Sequence, residues 1–153
     1  MNVHRAYVGL GSNLGDPIVN VERGFQELAN IGSIVERSLL YRAQPWGKTD
    51  QPDFVNAVAL LETTLEPRAL LNALKSAEAR LGRTLGERWG PRIIDLDLLT
   101  YDDRKVDEPG LRLPHPHLHE RAFVLVPLAQ LDARYVSLRD ALTTGELASV
   151  QPV

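Results

Sequence analysis

Phe54-Val55-Asn56-Ala57-Val58-Ala59-Leu60-Leu61-Glu62-Thr63 reads as a strong strand, and its neighbours on either side decide the fold. Downstream, Pro67 opens a helix whose buried stripe is Leu70, Leu71, Leu74, Ala77 and Leu81, with Gly82 following as a C-cap. Upstream, Ile34 to Arg42 reads as another strand, separated from Phe54 by the polar loop Gln44 to Asp53. Two strands therefore follow one another directly. Before them, Tyr7 to Leu10 forms a first strand and Gly11 to Asp16 a turn-rich exit. A helix starts with Asp16 as N-cap and Pro17 at its first position. Ile18, Val21, Phe25 and Leu28 recur at helical spacing, and Gly32 stops the helix. After the second helix come an irregular polar loop, Arg83 to Arg92, and a strand, Ile93 to Tyr101. Leu118 to Leu131 is a further helix, bent or ended at Pro127. The order strand, helix, strand, strand, helix, strand is the split βαβ pattern. It predicts an α+β, ferredoxin-like βαββαβ core: an antiparallel sheet covered by helices on one face, with extra C-terminal elements. No linker or repeat interrupts residues 1–153, so a single domain is expected.

Composition narrows the function classes. The chain has 153 residues, 44% hydrophobic and 24% charged, which is a soluble globular balance. A net charge of −3 argues against nucleic-acid binding by bulk electrostatics. With no cysteine, a disulfide framework, a thiolate zinc site and a cysteine nucleophile are all excluded. No signal segment and no apolar run long enough to span a bilayer is seen, so no membrane partner and a cytoplasmic location are expected.

Four constellations could carry chemistry. Asp95-Leu96-Asp97 puts two carboxylates on one strand face, roughly 7 Å apart along the chain. Oxygen ligands of that kind favour magnesium over zinc. Leu96, Leu98 and Leu99 mark the strand as largely buried, and paired acids on such a strand need a reason. Just upstream, Arg83, Arg88 and Arg92 place three guanidinium groups on one loop with Trp89 among them, suited to phosphate contacts. Phe54 and Asn56 share a strand face, so a ring and an amide sit side by side, able to stack on and hydrogen-bond a flat heterocycle. Taken alone, a core phenylalanine with a locally satisfied asparagine is the simpler reading of that pair. Pro114-His115-Pro116-His117-Leu118-His119 does not suit a three-histidine zinc site, because two prolines break the strand; a histidine donating to phosphate fits better, with Arg121 and Phe123 following. Gly9-Leu10-Gly11-Ser12-Asn13-Leu14-Gly15 has its third glycine one position late for a dinucleotide fingerprint and reads as a close backbone approach or a tight turn.

At Arg88-Trp89-Gly90-Pro91-Arg92-Ile93-Ile94-Asp95-Leu96-Asp97-Leu98-Leu99 the chain resembles the 6-hydroxymethyl-7,8-dihydropterin pyrophosphokinase family of folate biosynthesis. Gly11 to Gly15, Asp50 to Asn56, and Pro114-His115 with Arg121 and Phe123 fall in family order, over about residues 5 to 135. The resemblance implies transfer of pyrophosphate from ATP to the pterin hydroxymethyl group, with release of AMP. It implies two magnesium ions held by Asp95 and Asp97. Arg83, Arg92, His115 and Arg121 would contact ATP phosphates, with Arg83 and Arg92 catalytic beside the aspartates. Trp89 would lie on a mobile loop at the nucleotide, and Glu78 near it. Phe54 and Phe123 would sandwich the pterin and Asn56 read its edge, with Ala43, Gln44, Pro45 and Trp46 as further substrate-binding positions. A monomer acting on small molecules is implied. The chain departs from the best-known bacterial pattern at Leu85, where a second basic residue is usual, and in a loop to Trp89 that is one residue shorter. It departs also at Trp46, Lys75 and Pro116. Three rivals stand beside this reading: an RNA-binding module using sheet aromatics, another magnesium-dependent phosphotransferase, and an inactive relative with a structural role.

Overall fold

A computed structural model describes residues 2–45, 50–82 and 93–153. The elements are β1 (His4–Ser12), α1 (Pro17–Ile31), β2 (Ser33–Arg37), β3 (Tyr41–Ala43), β4 (Phe54–Thr63), α2 (Pro67–Arg80) and β5 (Asp95–Tyr101). There follow β6 (Val106–Glu108), β7 (Leu111–Leu113), α3 (Ala122–Leu131), the short helices α4 (Val136–Asp140) and α5 (Thr144–Ala148), and β8 (Val150–Pro152). The main sheet runs β5-β1-β4-β3-β8, with β2 also paired to β4, and all its pairings are antiparallel. The chain is thus α+β, an antiparallel sheet with helices packed on it.

Local chemistry sets the helix boundaries. The Asp16 carboxylate accepts the Val19 N–H at 3.2 Å, satisfying one of the unpaired donors of the first turn of α1, and Pro17 adds none. The Gly32 N–H donates to Leu28 O at 3.0 Å to close the helix. A side chain at Gly32 would collide with the carbonyl of Glu62, so the turn into β2 hugs β4 more closely than any other residue permits. In α2, Pro67 again starts the helix, and Leu81 caps it.

The strand expected over 34–42 is two strands. At the break, Ser38 takes the place of a regular ladder residue. Its N–H donates to Val58 O at 2.8 Å, and its hydroxyl accepts the Val58 N–H at 2.9 Å. The side chain thus repairs the ladder where the backbone departs from it. Both halves still lie along β4, β2 against residues 59–62 and β3 against 54–56.

Helices cover both faces of the sheet, not one. On the first face, Ala6, Val8 and Leu10 of β1, Val55, Ala57, Ala59 and Leu61 of β4, and Leu96 and Leu98 of β5 pack with Val21, Phe25 and Leu28 of α1 and Leu70, Leu74 and Ala77 of α2. On the opposite face, Tyr7, Val58, Leu60 and Leu99 pack with Val124, Leu125 and Leu128 of α3. The reason lies in β4, which is apolar on both sides from Ala57 to Leu61 and so requires cover on both. Helix α3 begins at Ala122 rather than at Leu118 and continues through Pro127 to Leu131.

Candidate functional site

Side-chain parity along three strands builds the site. In β1–β5 pairing, Gly9 lies opposite Asp97, Leu10 opposite Leu96 and Gly11 opposite Asp95. In β1–β4 pairing, Gly11 lies opposite Asn56. Leu10 and Leu96 point into the core under α1 and α2. By alternation, Asp95, Asp97, Gly9, Gly11, Phe54 and Asn56 therefore share the face that α3 covers, toward the end where α3 begins. The two carboxylates flank β1 on one side, and the ring and the amide flank it on the other.

Between them, β1 presents only glycines. A methyl group built at Gly11 would sit 2.7 Å from Asn56 Nδ2, and one at Gly9 3.5 Å from Leu99 Cδ1. The Gly9-Leu10-Gly11 pattern is thus neither a tight turn nor a nucleotide fingerprint. It is a stretch of strand kept bare on one side, so that the sheet forms the floor of a concavity. Beyond it, Asn13 closes the rim by donating to Gln51 Oε1 at 2.8 Å and to Pro52 O at 2.9 Å. These bonds tie the exit of β1 to the loop that enters β4.

Asn56 is 7% exposed, and its Oδ1 is buried without a hydrogen-bond partner among the described residues. Its Nδ2 donates to Leu10 O at a long 3.5 Å. A buried amide acceptor without a partner is costly unless a ligand supplies the donor. The expectation of a locally satisfied asparagine does not hold here.

The other walls come from the loop after β7 and from α3. His115 is anchored to β5 by its N–H, which donates to Leu99 O at 2.8 Å. Burial, the largest influence, holds its imidazole below the usual histidine pKa; the Asp97 charge opposes this, and the Arg121 and His117 charges add to it. Its Nδ1 accepts the His117 N–H at 3.1 Å, which leaves Nε2 to carry the proton of the neutral ring. Arg121, 6% exposed, precedes α3, with its guanidinium carbon 5.4 Å from the centre of the Phe123 ring. Phe123 packs beside Tyr41, Ala43, Ala122 and Val150, which brings Ala43 to the same wall. Gln44 is exposed, and its backbone N–H donates to Ser149 O at 3.3 Å; Pro45 is half-buried.

Around the edge of β5 away from β1 opens a cleft of about 480 Å³ between α2 and the β6–β7 hairpin. Leu71, Leu96, Leu98 and Leu111 form its apolar wall, and Lys75, Glu78, Asp97, Arg112 and His115 its polar lining. Asp97 and His115 thus join this cleft to the concavity over the glycines. Sequence reading found no element over 102–113. The signal was Pro109-Gly110, a turn with Gly110 at φ +74° that pairs Glu108 with Leu111. Arg83, Trp89, Arg92 and Trp46 lie outside the described residues.

Two carboxylates on one strand face, both half-buried, fit hard cations. No cluster of three or more histidine, cysteine, aspartate or glutamate side chains occurs among the described residues. Magnesium commonly takes one or two carboxylates and completes its shell with water and substrate phosphates, a demand that a pair such as Asp95 and Asp97 matches.

Residues 7–133 match the family model of 7,8-dihydro-6-hydroxymethylpterin-pyrophosphokinase. A 2-amino-4-hydroxy-6-hydroxymethyldihydropteridine pyrophosphokinase of Methylorubrum extorquens is 44% identical over 97% of this chain and 98% of its own length. The enzyme of that name from Pseudomonas aeruginosa is 42% identical over 98% of this chain and 93% of its own. Among solved structures, a Plasmodium falciparum HPPK-DHPS with pterin and p-hydroxybenzoate superimposes with a TM-score of 0.69 at 14% identity, over 99% of this chain. This chain spans 47% of that larger protein, and the likeness bears on fold alone. A match over most of the chain, with relatives above 40% identity along nearly their whole length, places this protein in the 7,8-dihydro-6-hydroxymethylpterin-pyrophosphokinase family.

Proposed function

We propose that this chain transfers the pyrophosphoryl group of ATP to the hydroxymethyl oxygen of 6-hydroxymethyl-7,8-dihydropterin, in folate biosynthesis. The family membership supports the reaction. The observation that supports this reading of the site is the buried Oδ1 of Asn56, without a partner among the described residues, beside Phe54 and across two glycines from Asp95 and Asp97. A flat ring lying on the glycine floor would give that oxygen its donor and stack against Phe54, with Phe123 on its other side. Its hydroxymethyl arm would then point toward the carboxylates.

The triphosphate would occupy the side of the cleft where Asp97 and His115 meet, with the base along Leu71, Leu98 and Leu111. The pterin hydroxyl oxygen attacks the β-phosphorus. The bond from the α–β bridging oxygen to that phosphorus breaks, AMP leaves, and the hydroxyl proton passes to solvent. Such transfers rest on alignment and charge neutralisation more than on a strong base, so no general base is assigned. Asp95 and Asp97 would hold two magnesium ions, which supply charge neutralisation and in-line orientation of the phosphates when bound. His115 Nε2–H and the Arg121 guanidinium would donate to phosphate oxygens, as would Arg83 and Arg92, with Trp89 on the loop that carries them. Ala43, Gln44, Pro45 and Trp46 would border the pterin, and Glu78 would lie by the nucleotide.

The element order and the strand order β5-β1-β4 support a ferredoxin-like βαββαβ core in which β2 and β3 share one strand position, followed by C-terminal additions. We read residues 1–153 as one pyrophosphokinase domain, acting as a cytoplasmic monomer on small molecules. No helix among the described residues is long and apolar enough to cross a membrane.

Incubation with ATP, magnesium and the pterin, followed by nucleotide analysis, tests the reaction. AMP that forms only with pterin present, and not with an Asp95→Ala/Asp97→Ala variant, is the expected result. Formation of ADP would overturn the reaction class.

A further inference from the structure

Among the described residues β5 is the outer strand of the sheet, so every second N–H along it faces away from β1. At Leu96 that outward donor is buried, and the Glu78 carboxyl group on α2 accepts it at 2.8 Å. Glu78 is itself 5% exposed. Acidic side chains rarely reach such burial without a specific partner. One such partner is the peptide N–H of Leu96, midway between Asp95 and Asp97.

The N–H of Leu96 belongs to the peptide plane that joins it to Asp95. Fixing its direction holds that plane and so restricts ψ of Asp95 and φ of Leu96, the rotations that set the direction of the Asp95 side chain and the course of the strand into Asp97. On the other side of β5, the bare glycines of β1 put no side chain against Asp95 or Asp97. The clamp from α2 acts where side-chain packing from β1 is missing. We propose that Glu78 is a positioning residue for the carboxylate pair: it holds the Asp95–Leu96 peptide and thereby sets the geometry with which Asp95 and Asp97 meet a divalent cation. This rests on the reading of those aspartates as magnesium ligands. It differs from a direct nucleotide contact, because the oxygen named is bonded to the backbone of the metal-binding strand.

Three variants separate the possibilities. Glu78→Gln keeps an acceptor oxygen at the same reach, Glu78→Asp keeps the carboxyl but withdraws it by one methylene, and Glu78→Ala removes it. The readouts are hydrogen exchange of the Leu96 amide in the enzyme without substrates, the magnesium concentration that half-saturates AMP formation, and KM for ATP at saturating magnesium. The Asp and Ala variants are expected to exchange Leu96 faster and to need about 10- to 100-fold more magnesium, the usual cost of losing a group that orients metal ligands. KM for ATP at saturating magnesium stays unchanged, and Gln restores both other readouts. If Ala fails to fold, the smaller changes to Asp and Gln carry the test. The proposal is overturned if Gln is as impaired as Asp, if Leu96 exchanges faster with no change in magnesium requirement, or if the loss appears as a raised KM for ATP at saturating magnesium. An Asp97→Asn variant with unaltered magnesium dependence would overturn the metal reading itself, and the proposal with it, even where the exchange data hold.

Discussion

The two faces of the sheet use the same three strands differently. Under α1 and α2, the inward residues of β1, β4 and β5 are aliphatic or alanine side chains along the middle of the strands, with Ser12, Thr63, His4 and Tyr101 at their ends. Under α3, the strands carry Tyr7, Val58, Leu60 and Leu99 at one end, then change to Gly9, Gly11, Asn56, Asp95 and Asp97 at the other. One face is wholly core. The second is half core and half site. A strand buried on both sides can give up packing over part of one face while the other face keeps it in register.

Breaking the site face chemically should have the largest effect. Asp97→Ala, or Asp95→Ala, is expected to reduce kcat/KM about a thousandfold or more, the equivalent of several kcal/mol of lost charge stabilisation. Thermal unfolding should barely move, because both side chains are half-buried and lie outside the apolar clusters. A large fall in melting temperature with little loss of rate would reverse the assignment of the two faces.

The complementary cut is Leu74→Ala on α2, a fully buried side chain. Denaturant unfolding should show a loss of about 2–5 kcal/mol. KM for the pterin should remain that of the parent, since the site lies on the opposite face.

Asn56→Ala sharpens the comparison within a single strand. Losing one hydrogen bond to the pterin should raise its KM about tenfold. Stability should change little, because among the described residues the side chain gives up a long bond to Leu10 O and a buried oxygen with no partner. A loss of several kcal/mol would mean that this end of the face is core after all.

The smallest effect is in pH. Burial, the main cause, holds the His115 imidazole below its ordinary pKa. The unfolded chain therefore takes up the proton first as pH falls through about 6.5. The depressed value means that the stability His115 contributes is present above that pH and is lost below it, down to the folded-state pKa. Unfolding measured from pH 7.5 downward should show this slope in the parent and not in His115→Asn. NMR should find the neutral ring protonated at Nε2. A His115 that titrates at or above the ordinary range would contradict both.

Much of this was readable in advance. The N-cap at Asp16, the starts of α1 and α2 at Pro17 and Pro67, and the full span of β4 follow from local signals, because capping and periodicity act within a few residues. The pairing of Asp95 with Asp97, and of Phe54 with Asn56, follows from strand alternation alone. The β6–β7 hairpin and β8 were missed for a physical reason. Each strand is three residues long, too short for periodicity, and β8 buries only Val150. The division of 34–42 at Ser38 was likewise invisible, since a serine that repairs a ladder looks like any other polar residue in a strand.

The family, the order of the main strands and helices up to β5, and the chemical groups available were legible in the chain alone, because motif spacing and periodicity are properties of neighbouring residues. Folding in three dimensions settles that α3 closes the second face, that Gly9 and Gly11 lie between the carboxylates and the ring, and that Glu78 reaches the peptide of Leu96. Those facts depend on register between strands far apart in the chain. A shift of one residue in that register would turn every one of these side chains to the other face.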